Sequence, residues 1–291
     1  MIARILSGLV MMTLLAACQP EPAPVPDSYP ALWEISQPGG EVEGWLFGTI
    51  HALPDDVVWR SPRLDRSIGS ADALVVEVAN LEDGAKLSGL FEKMAYDRPS
   101  PPIRQRIAPQ LRDEFDALLM KGGVQRSYFD RMESWAAALA LAQIAQDGDS
   151  ENGVDRALIG EFEGRRVIEL EGAANQLSIF DSLPEAEQRD LLAAVLAETS
   201  DAANKTGDLA SIWQSGDLER LGEITGRGIL ADPELKAALL DTRNIAWAAR
   251  IETLLAAPER PLIAVGAGHL LGAGGLPALL ERRGYTVRRI D

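Results

Sequence analysis

Cysteine, histidine and basic residues are scarce in this chain of 291 residues, and each shortage excludes a class of protein. A single cysteine cannot form an internal disulfide, so a disulfide-stabilised scaffold is excluded. Lysine and arginine number 28 against 44 aspartate and glutamate residues, a formal net charge of −16. Because proteins bind nucleic acids by neutralising phosphates with lysine and arginine, we expect no nucleic acid partner.

Signature motifs of several enzyme classes are also missing. The chain has no Walker phosphate-binding loop, no HExxH zinc motif and no Gly-x-Ser-x-Gly nucleophile motif. Its apolar fraction is 46%, which is typical of a globular protein and excludes a disordered or fibrous one. The chemistry must therefore lie outside these motifs, and the two histidines are its best candidates.

The N-terminus has the form of a lipoprotein signal. Arg4 precedes a run of 13 mostly apolar residues that ends at Ala17, shorter than the about 20 residues needed to span a bilayer. Leu15-Ala16-Ala17-Cys18 resembles a bacterial lipobox, in which cleavage leaves a lipid-bearing cysteine. We predict a signal peptide over residues 1–17 and lipidation of Cys18. The alternative is an ordinary signal peptide with an incidental cysteine.

Residues 18–30 are predicted to form a tether. They contain five prolines, which keep a segment extended and unable to bury a core. Gln19 follows Cys18, and by resemblance to Gram-negative lipoproteins this favours sorting to the outer membrane. We therefore expect a cell-envelope protein on the periplasmic face of the outer membrane, held there by its lipid.

The remaining chain, residues 31–291, predicts one α/β domain. Strand patterns occur near both of its ends, at residues 32–36, 44–50, 73–78, 167–170, 261–266 and 285–290. Helical periodicity dominates residues 84–160 and continues to about residue 257, including a predicted capping box at Ser182-Leu183-Pro184-Glu185. The prediction is a central mixed sheet built from N- and C-terminal strands, with a large helical insertion.

Both histidines occupy the same motif at a predicted strand end. His51 closes Gly48-Thr49-Ile50-His51, and His269 closes Gly266-Ala267-Gly268-His269. Ligand sites form at such edges of parallel sheets, and a glycine three residues before the histidine lets the backbone turn sharply and approach a ligand.

A lone carboxylate, Glu77, lies near the end of an otherwise apolar strand, where an unpaired charge costs several kcal/mol. Two imidazoles and one carboxylate would suit Zn²⁺, Mn²⁺, Co²⁺ or Fe²⁺, and such an ion activates water for hydrolysis. The alternative is purely structural: hydrogen-bonded histidines, and Glu77 paired with an arginine.

Motifs in several parts of the chain resemble the TraB/GumN family, in the order that the family has them. They are Trp33-Glu34-Ile35, Leu46-Phe47-Gly48-Thr49-Ile50-His51, Val75-Val76-Glu77-Val78, Leu170-Glu171 with Gln176, Phe180 and Gln188, Arg243-Asn244 with Trp247, and Val265-Gly266-Ala267-Gly268-His269-Leu270. The resemblance covers about residues 31–291.

The family is similar to the Tiki metal-dependent proteases, in which two Gly-x-x-His motifs and a glutamate build the active site. The wider group includes erythromycin-esterase-like and haem-handling ChaN-like proteins. The resemblance implies His51, Glu77 and His269 as metal or catalytic residues. It also implies Arg243 as a cation stabilising a carbonyl oxygen, or alternatively as a salt-bridge partner of Glu77 or Glu171. Glu171 would be a second carboxylate for general-base work.

Three functions remain open from the sequence. The first is a metal-dependent hydrolase of the Tiki type that acts on a small peptide or another envelope substrate. The second is an envelope protein that binds or sequesters a peptide, haem or metal without turnover. The third is a scaffold whose site has decayed.

Overall fold

The computed structural model describes residues 29–81, 83–146, 148–200 and 206–291. The predicted signal peptide, the predicted lipidation site Cys18 and most of the predicted tether lie outside these residues. No helix in the described ranges is long and apolar enough to cross a membrane.

Six strands form one mixed sheet, as predicted. They are β1 (Leu32–Ser36), β2 (Val42–Thr49), β3 (Ala73–Val76), β4 (Arg166–Glu169), β5 (Pro261–Gly266) and β6 (Thr286–Arg289). Their spatial order is β4-β3-β5-β2-β1-β6. The four strands from β4 to β2 are parallel to one another, and β1 and β6 add antiparallel pairings at the other edge. The strands from the two ends of the chain therefore interleave in a single α/β fold.

Helices connect the strands and form the insertion. They are α1 (Pro62–Ser70), α2 (Gly84–Ala95), α3 (Ile103–Arg106), α4 (Arg112–Gly122), α5 (Ser134–Ala145), α6 (Val154–Glu161), α7 (Ala173–Asp181), α8 (Glu185–Ser200), α9 (Thr206–Gln214), α10 (Leu218–Thr225), α11 (Pro233–Lys236), α12 (Thr242–Leu255) and α13 (Leu276–Arg282). A π-helical segment, Ala237–Asp241, joins α11 to α12. Such segments are rare and frequently occur at functional sites.

The local sequence explains where several of the helices begin and end. The Ser61 side chain accepts a hydrogen bond from the Leu64 N–H, and Pro62 opens α1. Gly123 adopts φ +62° and ends α4, because a left-handed residue there satisfies the last carbonyls of the helix. The predicted capping box at residue 182 is wrong. The Ser182 hydroxyl donates to the Ile179 carbonyl at the end of α7, and α8 begins only at Glu185.

The apolar residues form separate clusters on the two faces of the sheet and inside the insertion. Side chains alternate across a strand, so Leu74 and Val76 join one cluster while Val75 joins the cluster on the opposite face. A third cluster lies among the helices and includes Phe115 and Trp135, both fully buried. This explains why β3 and β5 are apolar without alternation: both of their faces are covered.

The strand order determines where the site forms. In the sheet, β5 lies between β3 and β2 and runs parallel to both of them. The carboxyl ends of these three strands therefore meet at one edge, which is the usual position of ligand sites in α/β sheets.

Candidate functional site

The residues at this edge converge on Gly266, the last residue of β5. A side chain at Gly266 would begin 3.2 Å from Glu77 Oε1, 3.8 Å from His51 Nε2 and 3.9 Å from His269 Cδ2. The structure thus brings together the three residues that the sequence predicts as metal ligands. The space that they share exists because residue 266 has no Cβ.

The two glycines of the Gly-x-x-His motifs permit close approach without a left-handed backbone conformation. Neither Gly48 nor Gly266 adopts a positive φ. A Cβ on Gly48 would lie 2.8 Å from Leu270 Cδ1 and 3.3 Å from Ala267 Cβ, so its absence lets the turn that carries His269 pack against β2. The glycine of each motif therefore leaves space for side chains of the other motif: Gly48 for Leu270, and Gly266 for His51.

His51 is held through one ring nitrogen. Its Nδ1 lies 2.8 Å from Asp155 Oδ2, while the other oxygen of Asp155 accepts a 2.7 Å hydrogen bond from the Thr49 hydroxyl. Asp155 is the main cause that raises the pKa of His51 to about 9. The His51 side chain is 67% exposed, and its Nε2 is available for a ligand. Metal binding at Nε2 would release a proton.

His269 is held in the same way but is buried. Its Nδ1 lies 2.6 Å from Asn244 Oδ1, and Asn244 Nδ2 donates to the Gly274 carbonyl. Because this bond fixes Oδ1 as the acceptor, we assign the proton of neutral His269 to Nδ1, which leaves Nε2 as an acceptor 3.2 Å from Arg243 Nη1. Burial is the main cause that lowers the pKa of His269 to about 4, so the ring is neutral.

Glu77 is the buried carboxylate of the site, and it has several partners. Oε1 accepts from the Gly266 N–H at 2.8 Å, and Oε2 accepts from Arg243 Nη2 at 2.8 Å and Gln176 Nε2 at 3.1 Å. Burial acts to raise the pKa of Glu77, but its electrostatic interactions with His269, His51 and Arg243 and the hydrogen bond from the Gly266 N–H outweigh burial and hold this pKa below its usual range. Glu77 is therefore ionised.

Arg243 joins both carboxylates of the site. Besides Glu77, it bonds Glu171 Oε2 through Nε at 2.9 Å, and its Nη1 lies 3.2 Å from His269 Nε2. Nη1 also donates to the Leu239 carbonyl in the π-helical segment, and the guanidinium lies 4.5 Å from the Trp247 ring centroid. The salt-bridge role of Arg243 is thus present, with Glu77 and Glu171 together.

Glu171 is buried behind Arg243. Its side chain is 8% exposed, and Oε1 has no hydrogen-bond partner. Burial is the main cause that raises the pKa of Glu171. Its unused oxygen and raised pKa are compatible with a proton acceptor.

Two concavities flank the chain segment that follows β3. A pocket of about 230 Å³ is lined by residues that include His51, Glu77, Asp155 and Arg156. A wider concavity of about 770 Å³ on the other side includes Glu169 and Glu171 in its wall. The smaller pocket is lined by two of the three candidate ligands, His51 and Glu77, whereas His269 is buried and is not part of its wall.

Asp155 and Arg156 were missed by the sequence interpretation. Both lie in the first turn of α6, and an acidic residue there is ordinary for a helix N-terminus. Burial of Asp155 beside His51 depends on Gly153, where a Cβ would collide with the His51 carbonyl. The glycine before α6 was the available signal, but no local pattern links it to His51.

The donors of the site fit a divalent metal. Both histidines have Nδ1 fixed by an oxygen acceptor, which is the usual outer-shell arrangement around metal-binding imidazoles, and Glu77 adds a carboxylate. Among the described residues, the group with ligand atoms all within 4.8 Å of one another is Glu187, Asp232 and Glu234, remote in sequence from the motifs. The ligand atoms of His51, Glu77 and His269 do not all lie within that distance of one another, although His269 Nε2 is 3.8 Å from Glu77 Oε1. Arg243 Nη1 lies 3.2 Å from His269 Nε2.

Comparison with known proteins gives a consistent assignment. Two relatives, from Shigella flexneri and from Escherichia coli K12, both bear the description "Uncharacterized protein YbaP". Each is 28% identical over 259 residues, covering 87% of this chain and 93% of the relative. No solved structure matches the chain significantly. The model of the TraB/PrgY/gumN family matches residues 31–289, so the chain belongs to this family.

Proposed function

We propose that this protein is a cell-envelope hydrolase of small peptides that uses a divalent metal ion bound by His51, Glu77 and His269. One observation carries the proposal: both imidazoles have Nδ1 fixed and line, with an ionised carboxylate, the space above Gly266. The candidate ions are Mn²⁺, Co²⁺, Zn²⁺ and Fe²⁺. When bound, such an ion polarises a carbonyl group and lowers the pKa of water.

The surrounding side chains would orient the metal ligands and stabilise the charges that develop on the substrate and on water. Asp155 and Asn244 fix the two rings, and mutation of such outer-shell residues typically costs 10–100-fold in metal affinity. Arg243 supplies a fixed, largely buried cation that can stabilise negative charge developing on a substrate oxygen. Glu77 or Glu171 would accept the proton that water gives up.

The metal content of the purified protein tests the site. After reconstitution with each of the four ions, we expect near-stoichiometric metal by mass spectrometry in the parent protein. We expect its loss in His51→Ala and in His269→Ala. Glu234→Ala is the matched control, because it removes one member of the separate acidic group at residues 187, 232 and 234.

The control separates two explanations for bound metal. Loss of metal in Glu234→Ala, with retention in both histidine variants, would assign the ion to the acidic group and contradict the proposal. Absence of metal from the parent protein after reconstitution would contradict it as well.

A second candidate function is binding of a peptide, haem or metal without turnover. The contact between Arg243 Nη1 and His269 Nε2 favours its metal-free form, the binding of a peptide, because a resident cation already occupies part of the ligand space. It predicts measurable affinity and no product. Multiple turnovers of a peptide or ester library that disappear in His51→Ala would exclude it.

A further inference from the structure

The pocket beside His51 and Glu77 has two unlike walls. Val78 and Leu81 form an apolar wall, while the turn before α6 and its first residues form a polar wall. At about 230 Å³ the pocket is smaller than the roughly 300–1,000 Å³ of sites for drug-sized ligands. It suits a single small group of a substrate, such as a peptide end or one side chain.

Two carboxylates line this pocket, and both are already compensated. Glu77 is paired with Arg243 and bonded by Gln176 and the Gly266 N–H. Asp155 accepts from Thr49 and is paired with His51. Neither carboxylate offers an uncompensated negative charge to a cationic substrate group.

The polar wall also carries a guanidinium with unused donors. The Arg156 side chain makes no hydrogen bond to any described residue, and its Nε is buried without a partner. Its nearest ion-pair contact joins Nη2 to Glu151 Oε1 at 3.6 Å, beyond ordinary hydrogen-bond length. The Glu151 side chain is 72% exposed, so solvent screens this pair strongly.

We infer that Arg156 is a specificity-determining residue that binds a carboxylate of the substrate in this pocket. The inference rests on the proposed peptide-hydrolase function and specifies its substrate: a peptide with a free C-terminal or side-chain carboxylate beside the reacting bond. A guanidinium and a carboxylate match geometrically through paired N–H···O bonds, and such charge-assisted bonds are the strong ones.

The charge of the whole molecule makes this local cation necessary. With a net charge of −16, the protein repels anionic peptides at long range. A local guanidinium with spare donors offsets this repulsion, and Arg156 provides one in the pocket wall.

Equilibrium binding of matched peptides to the full-length protein tests the inference. The probes are N-acetyl-trialanine with a free carboxylate, the same peptide as its amide, and N-acetyl-Ala-Glu-Ala amide. A chelator keeps the protein metal-free, so that no probe is cleaved. We expect at least one carboxylate probe to bind tenfold or more tightly than the trialanine amide, and the two carboxylate probes distinguish a chain terminus from an acidic side chain.

Variants assign the preference to its residue. In Arg156→Met the carboxylate preference should disappear while affinity for the amide stays unchanged, and Arg156→Lys should restore part of it. Arg220→Met, on an exposed position of α10, is the control for loss of one positive charge. Thermal unfolding of each variant checks that the fold is retained.

Several outcomes would overturn the inference. Equal affinity for amide and carboxylate probes in the parent protein, a preference that survives in Arg156→Met, or no binding of any probe would each contradict it. These results are independent of metal content, because Arg156 is not among the proposed ligands. Failure here and failure of the proposed hydrolase site are therefore distinguishable.

Discussion

The roles of individual residues in the site follow from the residues that they contact. Glu77 interrupts an apolar strand, and the sequence alone required a compensating cation for it. Arg243 is that cation, and the same guanidinium also holds Glu171. The sequence left Arg243 open between a catalytic helper and a salt-bridge partner. Its observed contacts satisfy the second role without excluding the first.

Gly266 provides a prediction at the residue scale. We expect Gly266→Ala to weaken metal binding about tenfold or more, because the new Cβ would begin 3.2 Å from Glu77 Oε1 and fill the space between the proposed ligands. The backbone itself tolerates alanine, since φ is −49°. Titration of the parent and the variant with Mn²⁺ or Zn²⁺ measures the change.

The control for this prediction is Gly69→Ala. A Cβ at the exposed Gly69 of α1 would meet nothing within 4 Å, so metal affinity should not change. Equal affinity of Gly266→Ala and the parent would show that the ion does not occupy the space above Gly266.

Strands and helices were predictable to different degrees. Continuous apolar runs identified β3 and β5, because a parallel strand buried on both faces has no polar side. The predicted cap at Ser182 failed because serine can equally end one helix or begin the next, and the local sequence does not decide which. The π-helical segment before α12 has no simple sequence signal, although it supplies the Leu239 carbonyl that holds Arg243.

A prediction at the element scale concerns the core of the insertion. Phe115 of α4 is fully buried and packs edge-to-face against Phe129, with ring centroids 6.0 Å apart. We expect Phe115→Ala to lower the free energy of unfolding by about 3–5 kcal/mol, through lost burial and a cavity. Metal affinity measured below the unfolding transition should be unchanged, because Phe115 belongs to a core cluster separate from those of the sheet.

Met120 on the same helix serves as the comparison. Its side chain is 79% exposed, so Met120→Ala should change the free energy of unfolding by less than about 0.5 kcal/mol. Urea denaturation measures both variants. A loss of metal affinity in Phe115→Ala would instead reveal that the insertion supports the site.

At the scale of the whole molecule, charge and anchoring belong together. A chain with a net charge of −16 is not attracted electrostatically to an anionic membrane, so the proposed membrane attachment would need another source. The sequence proposes a lipid on Cys18, and the proline-rich residues after it would separate the folded part from the bilayer.

Fractionation of cells tests this anchoring proposal. In a Gram-negative host we expect the parent protein in the outer-membrane fraction. The Cys18→Ser variant should be missing from that fraction as a processed, lipidated protein, because it lacks the residue to which the lipid is attached. Gln19→Asp should keep the lipid and move the protein to the inner membrane. An unlipidated parent protein in the soluble periplasmic fraction would contradict the proposal.

The sequence by itself determined the fold class, the strand positions and the candidate site residues. Each of these follows from local information: apolar runs, turn residues, and the two histidines in repeated Gly-x-x-His motifs. The sequence also required a partner for Glu77, because an isolated buried charge is unstable.

Only the tertiary structure decided which residues surround that site. Asp155 reaches His51 from the first turn of α6, Asn244 reaches His269 from α12, and Arg156 enters the pocket wall. These contacts join residues that are 25 to more than 100 positions apart. The convergence of the two histidine motifs and Glu77 arises because β5 lies between β2 and β3, and this pairing of distant strands is a property of the folded sheet that no local pattern encodes.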